Sequence, residues 1–191
     1  MKRHIPNFLT LVRIALVPIF IWLSFICKAE HHILWATIVF IVACITDFFD
    51  GMLARRFEVI TNFGKFMDPL ADKILVISAL FSIALEPIRF FSVYIVYIIL
   101  FREILITLLR NLYAKKGVFI AADIWGKLKT ILQMTGAIAA LVYYSIISKW
   151  TGIYYDQIKS GFNIAFWIIA FITILSGIIF ISKIKTGKNH E

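Results

Sequence analysis

The chain has 191 residues, 61% of them hydrophobic, with a formal charge of +9 and a mean hydropathy of +0.90. An apolar share well above the roughly 45–50% of soluble domains excludes an ordinary water-soluble fold. The basic balance does not indicate nucleic acid either, because the Lys and Arg residues follow the apolar segments instead of forming one solvated face.

Six windows approach the ~20 residues needed to cross a hydrocarbon core of ~30 Å: 8–27, 33–54, 70–86, 88–113, 128–148 and 161–182. The pattern predicts an all-α polytopic membrane protein with six transmembrane helices, forming a single integral-membrane catalytic domain over 1–191. Only Lys28, Arg89, Lys149 and Lys159 fall at one end of these segments; the other Lys and Arg residues fall towards the opposite end. This asymmetry predicts a cytoplasmic N-terminus, C-terminus and charged end. The basic start at Met1 to His4 is followed by no small-residue cleavage site, so the first segment reads as retained.

In that first segment Asn7, Thr10 and Arg13 recur every three residues along one side of the helix. Taken singly, each reads as an interfacial anchor, with Arg13 snorkelling. Pro18 is placed to kink the helix. The outer loop holds His31 and His32, two adjacent rings that face different ways and read as structural. Cys27 and Cys44 sit at different depths, beyond disulfide reach.

The second segment carries Asp47 about 21 Å below its outer start at Ile33. In the third, Asp72 precedes Glu86 by the same number of residues, so the two carboxylates are predicted at equal depth. Arg102 in the fourth lies about 20 Å from Arg89 and joins them. Glu103, Thr107 and Arg110 share a face of that segment. Lys127 and Lys129 open the fifth segment. Tyr143, Tyr144, Trp150, Tyr154 and Tyr155 gather around the outer loop that follows, as an interfacial aromatic belt predicts. The sixth segment has no charge between Gly161 and Ser182 and reads as scaffold.

The chemistry concentrates between the second and third segments. Asp47, Asp50 and Ala54 fall on one helical face, and Asp68 and Asp72 on a face of the next helix. Four carboxylates in one small volume beside hydrocarbon are strongly unfavourable unless neutralised. Hard divalent cations resolve this: Mg²⁺ or Mn²⁺ takes oxygen ligands and bridges substrate phosphates, and two such ions can clamp the attacking and leaving oxygens of a displacement. Gly51, Ala54 and Gly64 keep bulk away from the floor of such a site. Arg55 offers a fork of donors to phosphate.

The stretch Asp47-x2-Asp50-Gly51-x2-Ala54-Arg55-x8-Gly64-x3-Asp68-x3-Asp72 resembles the signature of the CDP-alcohol phosphotransferases at every motif position. The opening Ile5 to Arg13, the Arg102-Glu103 to Leu109-Arg110 segment and Trp125 to Thr130 are similar to the bacterial members that make phosphatidylglycerophosphate. The resemblance implies a six-helix membrane fold, commonly a homodimer, in the bacterial cytoplasmic (inner) membrane, with a metal-dependent site open to the cytoplasm. It implies that Asp47, Asp50, Asp68 and Asp72 ligate Mg²⁺ or Mn²⁺, with two ions expected, and that Asp72 doubles as general base. Gly51, Ala54, Arg55 and Gly64, with Asn7 and Thr10, would hold the CDP moiety. Arg110 and Lys127, then Arg102 and Lys129, would hold sn-glycerol 3-phosphate. The implied reaction moves a phosphatidyl group from CDP-diacylglycerol to that acceptor and releases CMP. Serine, inositol phosphate and phosphatidylglycerol are the other acceptors within the resemblance. Outside it stand an intramembrane prenyltransferase, whose motifs are spaced differently, and a divalent-cation channel or transporter, for which the outer helix halves offer no polar route.

Overall fold

In the computed structural model of the chain, the structure describes residues 5–57, 62–115, 124–147 and 154–187, with side chains over 12–47, 70–114, 124–147 and 154–184. Six α-helices carry these residues: α1 Ile5–Ile21, α2 His32–Phe57, α3 Asn62–Ala84, α4 Val93–Lys115, α5 Ile124–Val142 and α6 Tyr155–Gly187. Wider π turns, Trp22–Ile26 and Tyr143–Ile147, extend α1 and α5. Pro18 lies inside α1, one turn before the first of them. No strand occurs among the described residues.

The helices outrun the apolar windows at their charged ends. The third was expected over 70–86 and begins at Asn62; the sixth was expected over 161–182 and runs Tyr155–Gly187. Hydropathy marks only the part of a helix that lies in hydrocarbon, whereas backbone hydrogen bonding continues into the polar interface. The fourth window fails in the other direction. Its first residues, 88–92, form a turn instead of helix, and α4 starts at Val93. In this turn Ile88, Phe90 and Phe91 are buried, so their apolarity serves the protein interior and not a lipid-facing helix.

The core lies along the bundle axis. Phe20, Phe40, Leu80, Ile95, Leu141 and Phe166 fill it, and Ala36, Ala43, Ala79, Ala137, Ala140 and Ala170 are fully buried where helices meet. Small side chains at these crossings let backbones approach closely, which is how helices associate where lipid removes the hydrophobic incentive. α5 takes a central place, packed on α2, α3 and α6. Outward, Tyr94, Phe101, Ile124 and Phe171 are exposed, a surface suited to lipid. The described parts of α5 and α6, Ile124–Ile147 and Tyr155–Ile184, are long and apolar enough to cross a membrane, and α1 and α2 contribute the shorter apolar stretches Val12–Ile26 and His32–Asp47.

The expected aromatic belt is in part a plug. Tyr143 is buried, and Tyr143, Tyr144, Tyr155 and Phe162 surround Phe90, which stacks on Phe162 at 5.1 Å between ring centroids. Tyr154 alone of the described tyrosines in that set is exposed, and Trp150 lies outside the described residues. The inward turn of residues 88–92 supplies the ring around which the tyrosines close, a tertiary partner that a belt reading does not anticipate.

Phe90→Ala should therefore cost about 3–5 kcal/mol of stability, read as a lowered unfolding midpoint in mild detergent. The same truncation at Phe171, which is 66% exposed, should shift the midpoint little. Equal shifts at both positions would refute the plug.

Candidate active site

Arg13 is the innermost charge of the site. Its side chain is 1% exposed and bridges two helices: Nη2 lies 2.9 Å from Asp47 Oδ1 on α2, and Nε lies 3.6 Å from Asp72 Oδ1 on α3. The expected snorkelling anchor is instead a buried ion pair, because α1 packs against both α2 and α3 and its polar face points between them. The equal depth inferred for Asp47 and Asp72 holds, since one guanidinium reaches both. Cys44, one turn above Asp47, is buried and free.

Asp47 and Asp72 remain 35% and 41% exposed, enough to meet a ligand. They line a cavity of about 220 Å³ with Cys44, Lys73, Glu103 and Gln133. Asp50 lies on α2 one turn beyond Asp47, and Asp68 on α3 one turn before Asp72; their side chains, with those of Gly51, Ala54, Arg55, Gly64, Asn7 and Thr10, lie outside the described residues. Among the described residues no three His, Cys, Asp or Glu side chains converge as a metal site. The donor chemistry of the described pair nevertheless suits a hard cation: two carboxylates converge, and a cationic guanidinium already rests on both.

A second charged group stands across the cavity. Glu103 on α4 accepts hydrogen bonds from Lys129 Nζ on α5 and from Arg102 Nη1, the latter at 3.2 Å. Arg102 also donates from Nη2 to Ser176 Oγ on α6 at 2.7 Å. Its stem lies flat on Gly177, where an added Cβ would come within 3.3 Å of Cγ and Nε. Gln133 on α5 donates to Thr173 Oγ1 on α6 at 3.1 Å. Thus α6, charge-free where it lies in the bundle, supplies the hydroxyls that orient polar groups of α4 and α5. Lys73 on α3 donates to Thr107 Oγ1 on α4, and that hydroxyl donates to the Glu103 carbonyl at 2.6 Å.

Of the four basic residues singled out in the sequence, Arg102 and Lys129 meet on Glu103. Arg110, two turns beyond Arg102, is exposed with its guanidinium 5.4 Å above the Phe180 ring. Lys127 is exposed on the first turn of α5 and does not line the cavity; two residues from Lys129, it leaves the helix on nearly the opposite side. Sequence reading passed over the pairing of Arg13 with the carboxylates, the clamp role of Glu103, and the places of Lys73 and Gln133. The available signals were weak: two polar residues, Asn7 and Thr10, at period three before Arg13, and a lone amide in an apolar helix for Gln133.

The family model for CDP-alcohol phosphatidyltransferases matches residues 3–181. A protein of Rickettsia typhi named CDP-diacylglycerol–glycerol-3-phosphate 3-phosphatidyltransferase is 38% identical over 184 residues, covering 96% of this chain and 98% of its own. The Bacillus subtilis protein of the same name is 37% identical over 193 residues, covering 94% of each chain. A third of that name, from Haemophilus influenzae, is 36% identical over 178 residues, with 84% of this chain and 96% of the relative covered.

Glu103→Met should cost about 3–5 kcal/mol, since it leaves Lys129 and Arg102 buried without their carboxylate. Adding Lys129→Met should recover part of that loss, because Arg102 keeps Ser176 as a partner. A double variant as unstable as the single one would show that the clamp is not the source of the stability.

Proposed function

The chain belongs to the CDP-alcohol phosphatidyltransferase family, and we infer that it transfers the phosphatidyl group of CDP-diacylglycerol to sn-glycerol 3-phosphate, giving phosphatidylglycerophosphate and CMP. The observation that carries this reading to particular residues is one cavity lined by the Asp47 and Asp72 carboxylates together with Lys73, Glu103 and Gln133, with Arg102 and Lys129 held on Glu103 behind it. Carboxylates suit a metal-bound diphosphate. Cations suit a phosphorylated acceptor, which serine is not.

In the proposed mechanism Asp47, Asp50, Asp68 and Asp72 would hold Mg²⁺ or Mn²⁺, two ions by the family pattern, supplying positive charge to the diphosphate oxygens when bound. Asp72 takes the proton of the acceptor's 1-hydroxyl. The hydroxyl oxygen bonds to the phosphorus that bears diacylglycerol, the bond from that phosphorus to the bridging oxygen breaks, and the electron pair leaves on CMP. Arg13 keeps the Asp47 and Asp72 carboxylates turned towards each other between turnovers. Arg55, with Gly51, Ala54 and Gly64 and with Asn7 and Thr10 from α1, would cradle the CDP moiety. Arg102 and Lys129, which do not line the cavity, would act on the acceptor through the field of charges that Glu103 and Ser176 hold fixed behind its wall. Arg110 would draw the phosphate in from the cytoplasmic exit. Lys127, at the mouth of α5, would add only to the field there.

The same reading makes all six helices membrane-spanning, with both termini and the cavity at the cytoplasmic face of a bacterial inner membrane, the whole chain a single catalytic domain, and the protein a homodimer. Its support is the charge asymmetry of the loops and the alternation of six helices each long enough, with the π turns, to reach across the hydrocarbon.

Purified protein supplied with CDP-diacylglycerol, Mg²⁺ and glycerol 3-phosphate should release CMP and form phosphatidylglycerophosphate, both identified by mass spectrometry; chelation should stop the reaction and added Mg²⁺ restore it. Equal or better turnover with serine, inositol phosphate or phosphatidylglycerol would overturn the acceptor. Asp72→Asn should lower kcat by roughly a thousandfold or more while sparing donor binding. Arg110→Ala should raise KM for glycerol 3-phosphate about tenfold, and a KM effect confined to the lipid donor would reject its role.

A further inference from the structure

Beside the cavity, the described cations Lys73, Arg102 and Lys129 outnumber the one carboxylate that pairs with them. Arg102 and Lys129 share the single carboxylate of Glu103. Lys73 lies within electrostatic range of Arg102 and Arg110, yet its hydrogen-bond partner is the neutral hydroxyl of Thr107. An ammonium among like charges, half-buried and held by a hydroxyl, is set to receive an anion.

Its position specifies which anion. Lys73 follows Asp72 directly in α3, so the two side chains leave the helix about 100° apart and line the same cavity. They do not pair with each other across that angle, but they can take the two ends of one small molecule, with a hydroxyl on Asp72 and a phosphate on Lys73. Lys73 and Glu103 also close the cavity against the apolar groove between α3 and α4, a space of about 410 Å³ lined by Ile74, Ile77 and Ile104. A charged acceptor is thereby kept on the cavity side of that wall.

We propose that Lys73 is a phosphate ligand for the acceptor and sets its specificity, resting on Thr107 until the phosphate arrives. The inference rests on the assigned reaction and deepens it. It assigns to α3, beside the base, a contact that the sequence pattern gave to α4 and α5.

The test is steady-state kinetics in mixed micelles with Mg²⁺. Lys73→Met should raise KM for glycerol 3-phosphate roughly tenfold to a hundredfold, as loss of one charge-assisted hydrogen bond implies, with the KM of CDP-diacylglycerol moved less than about twofold. Its preference for glycerol 3-phosphate over glycerol should shrink by the same factor, and inorganic phosphate should compete less well. Thr107→Val removes the resting partner and should lower the KM for glycerol 3-phosphate. An unchanged KM in Lys73→Met, or equal rises for donor and acceptor, would overturn the proposal, as would a raised KM in Thr107→Val. Acceptor-dependent CMP release by the unsubstituted protein is the control: its absence would refute the assigned reaction, whereas its presence beside an unaffected Lys73→Met would refute the role of Lys73 alone.

Discussion

One buried guanidinium holds the reactive end of this bundle together. Two helices that each carry acidic residues to the same depth repel one another in a medium that screens poorly. Arg13 enters from a third helix and touches a carboxylate on each, so the contact of α1 with α2 and α3 is as much electrostatic as steric. The sequence motif on α2 and α3 is thus incomplete as a structural unit. Its counter-charge comes from a residue more than thirty positions upstream.

The same constraint is met differently on the opposite wall. There the surplus is positive, one carboxylate serves two cations, and the remaining polar contacts are made by hydroxyls of α6 and α4. Ser176 and Thr173 cost little to bury, because each also donates to a carbonyl of its own helix, three or four residues back. Gly177 completes the arrangement by letting the Arg102 stem lie against the backbone. The sixth helix, scaffold by composition, therefore holds Arg102 and Gln133 in place through Ser176, Thr173 and Gly177.

Much of this was legible in the sequence. Residue counting from the outer loops places Asp47 and Asp72 at one level, and a single side chain touching both bears this out. Each of the six apolar windows overlaps one of the six described helices. What escaped was pairing over long separations. Nothing local to Arg13 distinguishes a snorkelling anchor from a buried counter-ion, since both are cations at the polar end of an apolar helix. Tyr143 likewise has the composition of a lipid-interface residue, and only the inward turn at Phe90 gives it a protein partner. Lys73 was hidden in the flanking-charge pattern, where any lysine at the charged end of the segments is already accounted for. Windows also blurred the helix ends, because the transition from lipid to water leaves the backbone ladder unbroken.

The aromatic plug has a consequence for where polar chemistry can sit in the bundle. Rings packed around Phe90 fill the interior at the end of the bundle opposite the charged cavity, and Phe40, Leu80 and Leu141 fill the axis between, so the polar groups of the cavity are confined to one end of the helices.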